Sequence, residues 1–247
     1  MIQFDIYRDS SRVIYADDIP EFSASENWGN LSSKVSFIFD RLDYLNDTLV
    51  SICQKVEIYN INFKKRNGLT SNKIKITPYI EIIHVMSDLR MIIDELIALL
   101  YIVEKRKVLG DYPSIIDIDS IGALLNKWRT KDYEDVKFFM EYKDFLKTVN
   151  DVTNTYKHSF INDHIMFYRQ LDKPIVYAIK NSTTKEKRNK FDKSENKIFV
   201  IPLHDIVNDF NKMFSKYRIQ LKAMSFEQIK NDFEQKKSKL NPKELKS

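Results

Sequence analysis

The chain has 247 residues, with 40 Lys and Arg against 35 Asp and Glu for a net charge of +5, and only four glycines, six prolines and one cysteine. A chain of this length suits one domain with an appended arm, and so few turn-forming residues exclude a turn-rich all-β fold. Cys53 alone excludes an intrachain disulfide framework, and the absence of a basic start followed by an apolar run over Met1 to Arg8 predicts a cytoplasmic protein with no secretory leader.

Residues 1–30 carry short alternating pieces (Ile2, Phe4, Ile6; Val13, Tyr15) and then acidic, turn-forming residues up to Trp28 and Gly29. They predict an N-terminal strand or loop arm lying on the core. From about residue 31, where Asn30, Ser32 and Ser33 offer capping oxygens, apolar side chains recur at spacings of three and four: Val35, Ile38, Leu42, Leu45, Leu49, Ile52, Val56, Tyr59, Phe63. This is a long first helix that fades before the Asn67-Gly68 turn. Thr77 and Pro78 form a helix-start pair, and Ile82, Met86, Leu89, Ile93, Leu96, Leu100 and Val103 follow it. A second helix is therefore expected over 78–108. Its stretch 79–103 is long and apolar enough to raise the question of a membrane span. Glu81, His84, Asp88, Asp94 and Glu95 answer it, because each would be costly at the bilayer centre, whereas on a bundle helix they form a narrow wet stripe. No membrane is expected as a partner.

A short helix around Ile121 to Lys127 bridges to a third long helix over 132–158, which carries Phe138, Tyr142, Phe145, Val149, Val152 and Tyr156. Apolar stretches follow at Ile165 to Tyr168, Ile175 to Ile179 and Ile198 to Ile201, and the last two read as a β-hairpin. A fourth helix begins near Leu203, after Pro202, with Val207, Phe210, Phe214, Tyr217, Leu221 and Met224 on one line. Ser225 and Gln228 sit in capping-box positions, predicting a separate amphipathic piece with Phe226, Ile229 and Phe233 on one face, and then a frayed lysine-rich end. The expected fold is mainly α: a four-helix-bundle-like core over 31–224 with a β-hairpin (about 165–202) inserted between helices three and four, an N-terminal strand or loop arm over 1–30, and a C-terminal amphipathic helix and tail over 225–247.

Two connectors concentrate positive charge. One holds Lys64, Lys65, Arg66, Lys73 and Lys75 without an acid; the other, inside the hairpin, holds Lys185, Lys187, Arg188, Lys190 and Lys193. Such loops can touch phosphate, and lysines also simply keep loops solvated. The common nucleotide-cradling and zinc motifs are missing, so no cofactor and no metal are expected. Glu81 and His84 have the Glu-x-x-His spacing of di-iron bundles, yet no second copy exists to complete such a site.

The remaining candidate is the end of the third helix. Asp151, Asn154 and His158 are spaced three and four apart and share a face at the edge of the Val152 and Tyr156 line, with Lys157 beside them. An imidazole there can act as a base near neutral pH, and an amide one turn back can orient it.

An Asn followed four residues later by His, at the end of a long bundle helix, resembles the Arg-polar-x-x-x-His motif of the HEPN superfamily. Asn154 matches the polar position and His158 the histidine, while the arginine position falls on Thr153, or on Val152 or Asp151 at longer spacings. The resemblance implies a small helical bundle, usually a homodimer, and in many members a metal-independent ribonuclease of bacterial toxin or phage-defence systems. It implies catalytic roles for His158 and Asn154, with Lys157 beside them as a further catalytic candidate, and RNA contacts are then expected through the basic connectors at Lys64, Lys65, Arg66, Lys73, Lys185, Lys187 and Arg188. Attack of a ribose 2′-hydroxyl on phosphorus needs a cation as well as a base, so an arginine would have to come from elsewhere, such as Arg90 or Arg129. The alternative is a non-catalytic helical scaffold for a protein partner.

Overall fold

The first apolar series becomes α1, Leu31–Lys65, started by Asn30, whose Oδ1 accepts the Ser33 N–H at 3.0 Å. From Val35 to Ile52 its line is buried; Val56 and Tyr59 are half-buried. In the computed structural model, residues 2–6, 19–65, 72–130, 134–158, 173–180 and 197–239 are described. Helix α2, Asn72–Leu109, begins six residues earlier than its proline suggested, with Pro78 inside it. An interior proline removes one backbone hydrogen bond, and here its ring is buried, so the loss is local and the helix continues on both sides. Gly110 ends α2 with a positive φ of 79° and an N–H bonded to the Arg106 carbonyl at 2.8 Å.

Between Ile82 and Val103 the predicted line of α2 is fully buried, joined by Val85, Ile92, Ile97, Leu99, Tyr101 and Ile102 from its other sides. It is the central helix, packed against α1, the short α3 (Ile121–Thr130), α4 (Lys143–His158) and α5 (Leu203–Lys239). Ser120 starts α3 by accepting the Ala123 N–H on its hydroxyl oxygen at 3.3 Å.

The expected third helix is two elements. Glu134–Tyr142 winds as a 3-10 segment with a kink at Val136 (φ −133°), and α4 follows from Lys143. Three residues per turn brings Val136 and Phe139 inward, and Leu146, Val149 and Val152 continue the buried line. Phe138, Tyr142 and Phe145, read from the sequence as core, are half-buried instead. The tighter winding shifts the phase of the line ahead of Val149, while Val149 and Val152 lie inward as expected.

Strands β1, Ile175–Lys180, and β2, Lys197–Pro202, pair antiparallel from Ile175 opposite Pro202 to Lys180 opposite Lys197. Val176, Ala178 and Phe199 face the core, with β1 on α4 and α2. The hairpin therefore lies between α4 and α5 in sequence, in a mainly α fold. The stretch from Ile165 to Tyr168 lies outside the described residues. Helix α5 runs unbroken through Ser225, where a separate piece was expected. No Gly or Pro interrupts Leu203–Lys239, and the Ser225 hydroxyl donates to the Glu21 carbonyl at 2.7 Å rather than capping. None of the helices among the described residues is long and apolar enough to cross a membrane.

Inside the bundle the rings of Phe210 and Phe214 stack at 5.3 Å, and the fully buried Tyr217 donates its hydroxyl to the Leu96 carbonyl at 2.9 Å. Burial pushes this phenol well above its ordinary pKa, keeping it a neutral donor. The segment 2–6 lies across α1 and α5. Asn46 of α1 accepts the Phe4 N–H (2.6 Å) and donates to the Phe4 carbonyl (3.1 Å), while Asn211 of α5 accepts the Asp5 N–H (2.9 Å) and donates to the Gln3 carbonyl (2.9 Å). Phe4 is buried edge-on against Phe210 at 5.2 Å. Phe4→Ala should lower the unfolding free energy in urea by about 3 to 5 kcal/mol, and Asn46→Ala by about 1 to 2 kcal/mol.

Candidate functional site

Helix α4 turns a strip of small polar side chains toward its neighbours. Thr153 is fully buried, its hydroxyl donating to the Val149 carbonyl at 2.8 Å; Thr155, also buried, donates to Asp151 at 2.7 Å. Such back-bonding satisfies a hydroxyl inside a helix without a partner from another element. It leaves the lone pairs of Thr153 able to accept. Tyr156 holds the end of α4 to the hairpin, donating to the Tyr177 carbonyl at 3.1 Å and meeting the Tyr79 ring edge-on at 6.4 Å. Burial, chiefly, raises its phenol pKa, so it too stays a neutral donor.

Across from this strip stands Arg90 of α2. Its Nη1 donates to Asn154 Oδ1 at 2.6 Å and to Thr153 Oγ1 at 3.2 Å. Its Nε lies 3.7 Å from Asp94 Oδ2, one turn along α2, and Asp94 Oδ1 accepts the Ile121 N–H at 2.7 Å. One polar chain therefore runs from the first residue of α3 through Asp94 and Arg90 to Asn154, tying three helices together. Burial is the largest influence on Asp94 and raises its pKa. The Ile121 amide and the charges of Arg90 and Lys157 oppose the rise, and Asp119 adds to it.

Arg90 of α2 is thus bonded to both Thr153 and Asn154 on α4. Arg90 keeps 15% of its side-chain surface open. A guanidinium has five donors in a fork that can grip a phosphate; here Nη1 is held by Asn154 and Thr153, and Nε faces Asp94. Arg129 is exposed on α3 instead. Lys157, three residues after Asn154, is exposed. His158 is the last residue of α4, four positions or about 6 Å along the axis from Asn154; its side chain lies outside those described.

The chain matches no known family model, no curated protein and no solved structure.

Of the cationic positions expected to touch RNA, Lys64 and Lys65 belong to the end of α1 and Lys73 to the start of α2, with side chains outside those described. Arg66, Lys185, Lys187 and Arg188 lie outside the described residues altogether. Glu81 pairs with Lys55 of α1, and His84 is exposed on the groove between α1 and α2, of about 510 Å³. Among the described residues no group of three or more His, Cys, Asp or Glu could hold a metal ion. Asp94 was missed as a connector: the sequence placed it on a wet stripe. The available signal was an opposite-charge pair, Arg90 and Asp94, one turn apart on α2.

Because the folded-state pKa of Asp94 is raised, its contribution to stability is present at low pH and is lost as pH rises through that value, above the ordinary 3.8. Asp94→Asn keeps an acceptor for Ile121 and removes the titration. Urea unfolding should show its stability at pH 7 within about 0.5 kcal/mol of wild type or above it. Asp94→Leu, which orphans the Ile121 amide, should cost about 1 to 3 kcal/mol.

Proposed function

We propose that this protein binds and cleaves RNA without a metal ion, at a HEPN-like site in which His158 is the base and Arg90, brought in from α2, replaces the arginine the motif lacks. The observation that carries the reading is the 2.6 Å bond from Arg90 to Asn154, one turn before His158. In this reaction His158 takes the proton of a ribose 2′-hydroxyl while that oxygen bonds to the neighbouring phosphorus. The 5′-oxygen leaves and recovers a proton from the imidazolium. The products are a 2′,3′-cyclic phosphate and a 5′-hydroxyl. Charge gathers on the non-bridging oxygens as the new bond forms, and the Arg90 guanidinium, bonded to Asn154, is the cation to receive it. Asn154 and Thr153 fix the fork in place; Lys157 adds a second positive charge on the solvent side. The resemblance adds a bacterial toxin or phage-defence setting to this reading.

The Asp94–Arg90–Asn154 chain also suits a structural lock, and with Phe226, Ile229 and Phe233 exposed on α5 it fits a helical scaffold for a protein partner. Cleavage of labelled RNA in EDTA separates the two. The nuclease reading expects His158→Ala and Arg90→Ala each to lower the rate by about 10² to 10³-fold, with Arg90→Lys between them and wild type, in proteins whose circular dichroism is unchanged. Equal cleavage by wild type and His158→Ala, or none by either, overturns it.

A further inference from the structure

The second half of α5 carries a single row in which cations and rings alternate: Lys222, Phe226, Lys230, Phe233, Lys237. Steps of four, four, three and four residues keep all five within roughly 40° of one line on the helix. All five are exposed, and the rings are so to an unusual degree, Phe226 at 74% and Phe233 at 69%. Other side chains pin the helix to its neighbours. Both carboxylate oxygens of Asp232 accept from Arg106 Nη2, at 2.9 and 3.0 Å, Glu227 pairs with Lys107 at 2.8 Å, and Gln228 donates to the Tyr112 hydroxyl at 2.9 Å. The row is therefore held outward by contacts on α2 and the loop after it, not left on a loose end.

The charge in the row selects the partner. Three lysines in line repel a second copy of the same surface. A bilayer would draw the rings inward, but the lysines share their line rather than flank it and would be carried down with them. A single nucleic-acid strand offers phosphates and base faces in alternation, as the row offers ammonium groups and rings.

We propose that this row is a platform for single-stranded RNA that feeds the Arg90–Asn154–His158 site, an inference that rests on the RNA reading above. Phe226 and Phe233 are about 10 Å apart along the axis, room for about three stacked nucleotides. Helix α2 serves as the ruler to the site: Arg90 bonds Asn154 and Arg106 bonds Asp232, and the 16 positions from one to the other (106 − 90) span about 24 Å, or about seven stacked nucleotides.

The test uses the full chain, fluorescence anisotropy with a labelled oligouridine of about 12 nucleotides across a salt series, and cleavage of a dinucleotide too short to reach α5. Replacing Lys222, Lys230 and Lys237 together by Gln should flatten the slope of log affinity against log salt by about 2. Phe226→Ala with Phe233→Ala should weaken binding about tenfold or more without changing that slope. Both variants should cleave the dinucleotide at the wild-type rate. Oligouridine affinity and slope unchanged in both variants overturn the platform, as does binding to phosphatidylserine vesicles that both variants lose while oligouridine binding persists. Failure of wild type to cleave the dinucleotide counts against the nuclease reading alone.

Discussion

Helix α2 is buried on most of its faces from Ile82 to Val103, and a charge on the half-buried flank of that span must find its partners in the protein. Arg90 and Asp94 are the consequence. Each is mostly removed from water, and each is paired with the other and with a neighbouring helix: Arg90 with α4, Asp94 with the first amide of α3. An apolar pair in their place could pack the three helices as well. What the charged pair adds is direction, because a guanidinium accepted by two defined oxygens fixes how α4 is rotated against α2, and with it where the end of α4 points.

Most of the architecture was written in the apolar spacing. The series on α1, α2 and α5 lies inward along nearly all its described length, since a helix with one oily line has only one way to hide it. The misreadings have local physical causes. At Glu134–Tyr142 the backbone winds three residues to the turn, so a reading at 3.6 selected Phe138 where Phe139 goes inside. Pro78 looked like a first residue because its missing N–H is harmless there, and nothing in its flanks says that the chain accepts one lost bond to carry on. Ser225 and Gln228 had the spacing of a cap, but their partners are Glu21 and Tyr112, about 204 and 116 residues away in sequence, and no local pattern encodes them.

The same divide runs through the candidate site. Asn154, Lys157 and His158 could be picked out because they are neighbours on one helix. Arg90 could only be named as one of two candidate arginines, for its bond to Asn154 joins residues 64 positions apart and depends on how α2 and α4 cross. The row on α5 was half visible. Phe226, Ile229 and Phe233 were read as an apolar face, and only the continuity of α5 from Leu203 to Lys239 puts Lys222, from the preceding segment, in line with them.

The segment 2–6 is gripped by two asparagine side chains, each of which gives and takes one hydrogen bond as a neighbouring β-strand would. One of them, Asn211, is encoded 206 residues after its partner Asp5. A growing polypeptide emerging from the ribosome can thus seat Phe4 beside α1 early, but the ring's edge contact with Phe210 waits until α5 has been made. Residues 2–6 are locked in full only after α5 has been made, and closure of this part of the core is coupled to that helix's arrival.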